Sequence, residues 1–308
     1  MLKNIIITLL LLCSFSIMVS AQSAGGQIRR AVKKPQTTNV TPRKPKTTNK
    51  RPTSKVQKMS ESQRKSIIQN LINNMVYVEG GSLMMGATPE QGQDEYDFAL
   101  PAYKGTVNSF YICRYELTQD VWKAVFGRLP EYYHSDELHN SNVVGRNKAV
   151  EVNWKDAIRF IEKLNTITGM KFRMPTETEW EYAARGGVKS KGYKYSGSNN
   201  INDVAWYHDN NDIKEKSFVI GLKHPNELGL YDMSGNVSEW CSDKNLKRNS
   251  KREEWKELND NYRIRKGGCW CSTEIGCKVS SRDFQGIQDY CNTWCLHGTG
   301  LRLVCDRL

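Results

Sequence analysis

Clear helix and strand patterns stop at about residue 187, and the chain beyond that point is rich in Trp, Gly, Asn and Cys. The stretch from 76 to 308 is long enough to bury a full hydrophobic core. Because it has so few regular elements, its second half needs other stabilising links, and we expect bound ions and disulfides to provide them. The sequence therefore predicts one loop-rich α+β domain with few helices and short strands over residues 76–308.

The first half carries most of the recognisable helix and strand signals. Ser60 and Gln63 predict a capping box at the start of a short helix over residues 60–75. The segment MVYVEGGSLMMGA then predicts an alternating strand broken by two glycines, and residues 109–118 predict another strand. Thr118, Asn153 and Thr176 are predicted N-caps of three further helices, the last with a capping box to Glu179.

The N-terminus has the pattern of a signal peptide over residues 1–21. A positive charge at Lys3 precedes an apolar run from residue 5 to 17, and small residues end at Ala21. We therefore expect cleavage after Ala21 and a periplasmic or secreted protein. No later stretch is long and apolar enough to predict a membrane span.

Residues 22–59 predict a disordered basic linker rich in Pro, Thr and Lys. It carries 11 Lys and Arg and no acid up to residue 58, whereas the formal net charge of the whole chain is +12. With Lys3 it accounts for that net charge, so the remainder is close to neutral. The arm could contact acidic envelope polymers or serve as a solvated spacer. The spacer interpretation is favoured, and nucleic-acid binding is not predicted, because no aromatic residues alternate with the charges.

Cysteine usage fits an exported protein. Eight of the nine cysteines follow the predicted signal peptide, and an even number predicts disulfides whose pairing the sequence does not give. Zinc is the weaker alternative because no pair of CxxC motifs is present.

The stretch GLYDMSGNVSEW, residues 229–240, concentrates oxygen-bearing side chains. Asp232, Gly235, Val237 and Glu239 are spaced so that two carboxylates and two carbonyls could converge around a sharp glycine turn, as Ca²⁺ prefers. The alternative is that both acids cap turns and pair with neighbouring groups.

Seven motifs together resemble the formylglycine-generating enzyme, or sulfatase-modifying factor, family. They occur in the family's order: MVYVEGGSLMMGA, YELTQDVWKAV, VNWKDAIRFIEKLN, FRMPTETEWEYAARGG, GLYDMSGNVSEW, RKGGCW and GLRLV. The resemblance covers about residues 76–308 and implies a fold related to C-type lectins. It also points to an exported member of Gram-negative type.

The resemblance adds metal ligands. It implies Ca²⁺ bound by the side chains of Asp232 and Glu239 and by the carbonyls of Gly235 and Val237. A second Ca²⁺ site would use Asp203, the carbonyl of Val204 and a group near Asn211 or Asp212, although the intervening loop is shorter than in the family.

Active members oxidise a Cys in a sulfatase segment of the form Cys-X-Pro-X-Arg, using O₂ and Cu(I) held by two thiolates five residues apart. The matching stretch here is GGCWCSTEIGC, residues 267–277. Cys277 falls on the second ligand and Ser272 on the first, while Cys271 lies one residue early and Cys269 replaces a family Ser. A hydroxyl is a poor ligand for a soft ion such as Cu(I).

The replacement of the first copper ligand by Ser272 leaves two possible functions. The first is a noncatalytic binding or scaffold module of the cell envelope with a protein partner, since the resemblance extends to domains in gliding and type IX secretion machinery. The second is a copper oxidase acting on a Cys-containing sulfatase peptide, with Cys277 and Cys271 as ligands. Disulfides at Cys271 and Cys277 would favour the module, and free thiols would favour the enzyme.

Overall fold

The computed structural model describes residues 59–92, 99, 101–130, 144–211, 217–244, 262–286 and 298–308. The predicted signal peptide, the basic linker up to residue 58, Asp212, Cys291 and Cys295 lie outside these residues. None of the helices in the described part of the chain is both long and apolar enough to cross a bilayer.

The helices begin where the capping residues predict. They are α1 (Glu61–Asn73), α2 (Gln119–Phe126), α3 (Trp154–Thr168), α4 (Glu177–Ala184) and the single turn α5 (Ile201–Val204). Ser60 and Thr176 form complete capping boxes at α1 and α4, and the side chains of Thr118 and Asn153 cap α2 and α3. Each cap satisfies backbone N–H groups that the first helical turn would otherwise leave unpaired.

The strands are short and form three separate sheets. They are β1 (Met75–Val78), β2 (Gly81–Met85), β3 (Tyr103–Val107), β4 (Phe110–Cys113), β5 (Ser238–Lys244), β6 (Tyr262–Lys266), β7 (Arg282–Gly286), β8 (Thr299–Gly300) and β9 (Val304–Cys305). The sheets have the orders β1–β4–β9, β2–β3 and β7–β6–β5–β8. Among these described strands, β5 and β8 pair in parallel and the other pairs are antiparallel. The predicted α+β, loop-rich class is confirmed.

Two predicted strands differ in extent from the observed ones. The MVYVEGGSLMMGA segment divides at Gly80 into β1 and β2, which join different sheets. The predicted strand over residues 109–118 ends at Cys113, because the following backbone bonds to other loops. Arg114 N–H donates to the carbonyl of Asn74, and Leu117 N–H donates to that of Leu301.

Two buried clusters form most of the described core. One joins α1, α2 and α3 to the end of the chain around Trp122, Phe160 and Trp240. The other packs α4 against β1, β4 and β6 around Trp180, Met233 and Ile264. Met233 and Trp240 belong to the oxygen-rich stretch 229–240, so this stretch contributes to both clusters and is fixed by them.

Candidate functional site

The turn at residues 229–240 is clamped between two neighbouring loops. Gly235 N–H donates to the carbonyl of Gly267 at 2.8 Å, and Asn236 N–H donates to that of Trp206 at 2.8 Å. Gly235 has φ of +81°, and a Cβ there would lie 2.3 Å from the Trp206 carbonyl oxygen. Only glycine fits both the left-handed backbone and this close approach.

Three buried carboxylates surround the turn. Asp232 Oδ2 accepts a 2.6 Å hydrogen bond from Gly221 N–H, while its Oδ1 is buried with no hydrogen-bond partner. Glu116 reaches in from the segment before α2 and accepts from Asn236 Nδ2 and from Val237 N–H, at 2.5 and 3.0 Å. The turn therefore sits on a carboxylate 120 positions away in sequence.

Glu239 is held by a different set of groups. Arg302 Nη2 donates to Glu239 Oε1 at 2.7 Å, Arg302 Nε lies 3.0 Å from both carboxylate oxygens, and Trp180 Nε1 donates to Oε2 at 2.6 Å. Both charged side chains are essentially inaccessible to solvent. Arg302, which belongs to the GLRLV motif, also donates to the carbonyls of Cys113 and Tyr231, so it ties the end of the chain to the core.

The local charge is unbalanced toward the negative. Burial raises the pKa of Asp232 from 3.8 to about 6, opposed by the Gly221 hydrogen bond and by Arg302. Burial, followed by the nearby Asp232 and Glu239 carboxylates, raises the pKa of Glu116 well above its usual range. Three acids thus share the buried guanidinium of Arg302, and an added cation would relieve their repulsion.

The residues of the predicted second calcium site are used locally. Asp203 accepts from the Ser198 hydroxyl and from Asn200 Nδ2, both at 3.0 Å. Val204 is buried at the end of α5. Lys223 Nζ donates to the carbonyl of Asn202 at 2.8 Å and lies 4.1 Å from the centroid of the Trp206 ring, so a cation already stands beside this loop.

Cys269 to Ser272 form a tight turn after β6. Ser272 N–H donates to the carbonyl of Cys269 at 2.9 Å, and Cys269 N–H donates to Ser272 Oγ at 2.9 Å. The Sγ atoms of Cys269 and Cys271 are 3.2 Å apart, and Ser272 Oγ is 3.4 Å from Cys269 Sγ. The hydrogen bond with Cys271, helped by Ser272, lowers the pKa of Cys269 to about 6 in spite of its burial.

Cys277 has a more apolar environment than that pair, although Cys269 lies near enough to contribute to the rise in its pKa. It ends a short 3₁₀ turn over Ile275–Cys277, is fully buried, and packs against Tyr195, Val204 and Tyr207. Burial holds the pKa of its thiol well above the usual range. The three site residues predicted from the sequence therefore divide: Cys271 and Ser272 contact Cys269, whereas Cys277 lies in an apolar cluster.

The described cysteines are Cys113, Cys241, Cys269, Cys271, Cys277 and Cys305. No disulfide joins any two of these six, so the expected disulfides are not found among them. Within the described ranges, no three Asp, Glu, His or Cys side chains converge as a metal site would require. A calcium site at the turn would consequently depend on backbone carbonyls as well as Asp232.

The sequence does not predict a role for Glu116 at this site. Glu116 belongs to the YELT motif, which predicts only the end of a strand and the start of a helix. Because the partners of Glu116 lie far along the chain, no local sequence pattern predicts its contact with the turn. Arg173 and Glu179 form an ion pair within the fold, with Arg173 Nη1 2.7 Å from Glu179 Oε2.

Comparisons with known proteins agree with these motifs. Residues 60–306 match the sulfatase-modifying factor enzyme 1-like domain family. The chain is 30% identical over 257 residues to the protein named chaperone protein LppX of Paenibacillus barcinonensis, covering 68% of this chain and 82% of LppX. It is 32% identical over 134 residues to the formylglycine-generating enzyme of Thermomonospora curvata, covering 40% of this chain and 41% of that enzyme.

A protein named inactive C-alpha-formylglycine-generating enzyme 2, from Bos taurus, is 30% identical over 135 residues, covering 41% of this chain and 40% of its own. Among solved structures, Treponema denticola variable protein 1 superposes with a TM-score of 0.60 at 24% identity, over 76% of this chain and 95% of its own, which shows the shared fold. Sequence motifs, fold and family match agree, and the chain belongs to the sulfatase-modifying factor enzyme 1-like family.

Proposed function

We propose that this chain is a noncatalytic binding module of the family, exported to the cell envelope, and that it does not oxidise sulfatase cysteines. The observation that carries the proposal is Ser272 at the position of the first copper ligand. Its hydroxyl accepts a backbone hydrogen bond and is not a soft ligand.

The neighbouring cysteines do not compensate for Ser272. Cys271, the nearest thiol in sequence, contacts Cys269 rather than Cys277. Cys277 is buried in an apolar cluster, and its raised pKa disfavours the thiolate that binds metals. The residues present therefore do not fit the two-thiolate copper site that the family implies, and we derive no reaction through it.

The residues at the turn supply part of the ligand set that Ca²⁺ requires. We propose Ca²⁺ beside the unpartnered Asp232 Oδ1, with the carbonyls of Gly235 and Val237, where the divalent charge would offset Asp232 and Glu116. Glu239, the fourth predicted ligand, would have to exchange its bonds to Arg302 and Trp180 for the ion. At the second site, calcium at Asp203 and Val204 would compete with the hydrogen bonds from Ser198 and Asn200.

A binding role also has a candidate surface. A cleft of about 1200 Å³ lies between α1 and the segment leading into α2. Its lining includes the charged residues Arg114, Glu116, Asp120 and Arg146, and no residue of the 269–272 turn. Such a mixed polar cleft suits a protein partner better than an apolar small molecule.

The test is peptide turnover under conditions that favour the enzyme. The purified chain, reduced and loaded with Cu(I), is incubated with O₂ and a Cys-X-Pro-X-Arg peptide, and the products are followed by mass spectrometry. The Thermomonospora enzyme serves as positive control. We expect no aldehyde from this chain.

The second candidate function is the copper oxidase itself, with Cys277 and Cys271 as ligands. No disulfide joins either position to another of the described cysteines, which favours this function, because a disulfide between two of them would have blocked copper binding. Aldehyde formation that disappears in a Cys277→Ser variant would establish this function and overturn the proposed one.

A further inference from the structure

The turn from Cys269 to Ser272 holds the Sγ atoms of Cys269 and Cys271 close together. Residues two apart in a turn have Cα atoms within about 7 Å, which is the reach of a disulfide. Their Sγ atoms are 3.2 Å apart. Closing that gap to an S–S bond length of about 2.05 Å needs a movement of about 1.1 Å.

Neighbouring residues fix the turn on both sides. Trp270 is buried between the two cysteines, and its N–H donates to the carbonyl of Asn236 at 2.8 Å. The Trp270 carbonyl accepts from Asn211 Nδ2 at 3.1 Å. Gly298 packs directly on Cys269, since a Cβ there would lie 2.9 Å from the Cys269 Cβ. The thiols are therefore preorganised, and this raises the effective concentration of each for the other.

The spacing suits a disulfide better than a metal chelate. Two thiolates that bind a metal linearly at about 2.3 Å stand about 4.6 Å apart, so the pair would have to open by about 1.4 Å. A tetrahedral site requires further ligands, and within the described residues no third Asp, Glu, His or Cys completes a metal-binding group here.

We propose that Cys269 and Cys271 form a reversible intramolecular disulfide, which makes this turn a thiol–disulfide exchange site for organic disulfides of the form R–S–S–R. Access divides the roles, since Cys271 is half-buried and Cys269 is buried. Cys271 is the attacking thiol that meets the external disulfide, and Cys269 is the resolving thiol behind it.

The exchange proceeds in two balanced steps. The pair loses one proton to solvent, the remaining proton moves from Cys271 to Cys269 across their 3.2 Å contact, and the Cys271 thiolate attacks one sulfur of R–S–S–R, so that a mixed disulfide Cys271–S–S–R forms and R–S⁻ leaves. The Cys269 thiolate then attacks the Cys271 sulfur, so that the Cys269–Cys271 bond forms and the second R–S⁻ leaves. The two protons of the cysteine thiols pass to the two R–S⁻ groups. The protein loses two electrons, and the external disulfide is reduced to two thiols.

The experiment treats the reduced full-length chain with oxidised glutathione, quenches with acid, alkylates the remaining thiols in denaturant so that buried thiols also react, and maps them by peptide mass spectrometry. In the wild type we expect Cys269 and Cys271 to lose alkylation together, with no glutathione retained, and to regain it after dithiothreitol. Cys241→Ser, which removes a buried thiol of β5, is the matched control and should behave as the wild type.

Two variants distinguish the roles of the thiols. Cys269→Ser should accumulate glutathione on Cys271, because the resolving thiol is gone. Cys271→Ser should leave Cys269 unmodified, because that thiol is buried. Cys271 bonded instead to Cys277, Cys291 or Cys295, or both thiols still fully alkylated after oxidation, would overturn the proposal. The readout does not involve peptide oxidation, so its result is independent of the test of the proposed function.

Discussion

Replacing Asp232 by Asn should stabilise the calcium-free protein at neutral pH, although most substitutions of buried residues destabilise. Asp232 is 3% exposed, and one of its oxygens has no hydrogen-bond partner. Asn keeps an acceptor for the Gly221 N–H and removes the charge. It also tolerates the left-handed backbone at this position, where φ is +57°.

The magnitude follows from the pKa of Asp232. Its folded-state pKa is about 6 against 3.8 for the ordinary group, so the native state binds the proton more tightly than the unfolded state. The stability that this provides is fully present below about pH 4 and is lost as the pH rises through about 6. At about 1.4 kcal/mol per pKa unit, ionised Asp232 costs the native state about 3 kcal/mol at pH 7. Asp232→Asn should recover up to that amount.

The assay is urea denaturation in EDTA between pH 4 and 8, comparing Asp232→Asn with the wild type. The gain of the variant should be largest near pH 7 and vanish near pH 4. Asp209→Asn, at an acid whose side chain is 67% exposed, should change the free energy of unfolding by less than about 0.5 kcal/mol. A variant less stable than the wild type at pH 7 in EDTA would refute the reasoning that the neighbouring groups compensate the Asp232 charge only in part.

Two further substitutions test how the turn is held. Arg302→Met should destabilise by about 3–5 kcal/mol in urea denaturation, because it leaves the buried Glu239 without its cation, whereas Arg159→Met, at an exposed ion pair, should have little effect. An Arg302→Met loss below about 1 kcal/mol would contradict this. Gly235→Ala should lower the melting temperature more than Gly127→Ala. Both glycines have φ near +80°, but only a Cβ at residue 235 would meet the Trp206 carbonyl. An equal loss of melting temperature in the two variants would show that this contact is unimportant.

The sequence predicts the fold where the determinants are local. Ser60, Thr118, Asn153 and Thr176 cap the helices that their neighbours predict, because a cap needs only the three following residues. The family motifs then identify the rest of the domain, including Arg302. Both kinds of signal can be read along the chain without knowing which segments meet.

The site is less predictable because its contacts are long-range. Glu116 meets the turn 120 positions away, and nothing in YELT marks it for that role. The sequence places Cys271 one residue before the expected first ligand but does not show which group it contacts. In the structure it lies in a turn where it faces Cys269, and that turn has hydrogen bonds to Asn236 and Asn211. The calcium ligands remain a prediction.

The most direct test of the central claim is a side-by-side assay of the wild type and Ser272→Cys, which restores a thiol five residues before Cys277. Both are loaded with Cu(I) and given the same Cys-X-Pro-X-Arg peptide and O₂, and aldehyde is measured by mass spectrometry. We predict no aldehyde from the wild type and its appearance in Ser272→Cys. Aldehyde from the wild type at a rate that Ser272→Cys does not increase would contradict the proposal that this chain is a noncatalytic member.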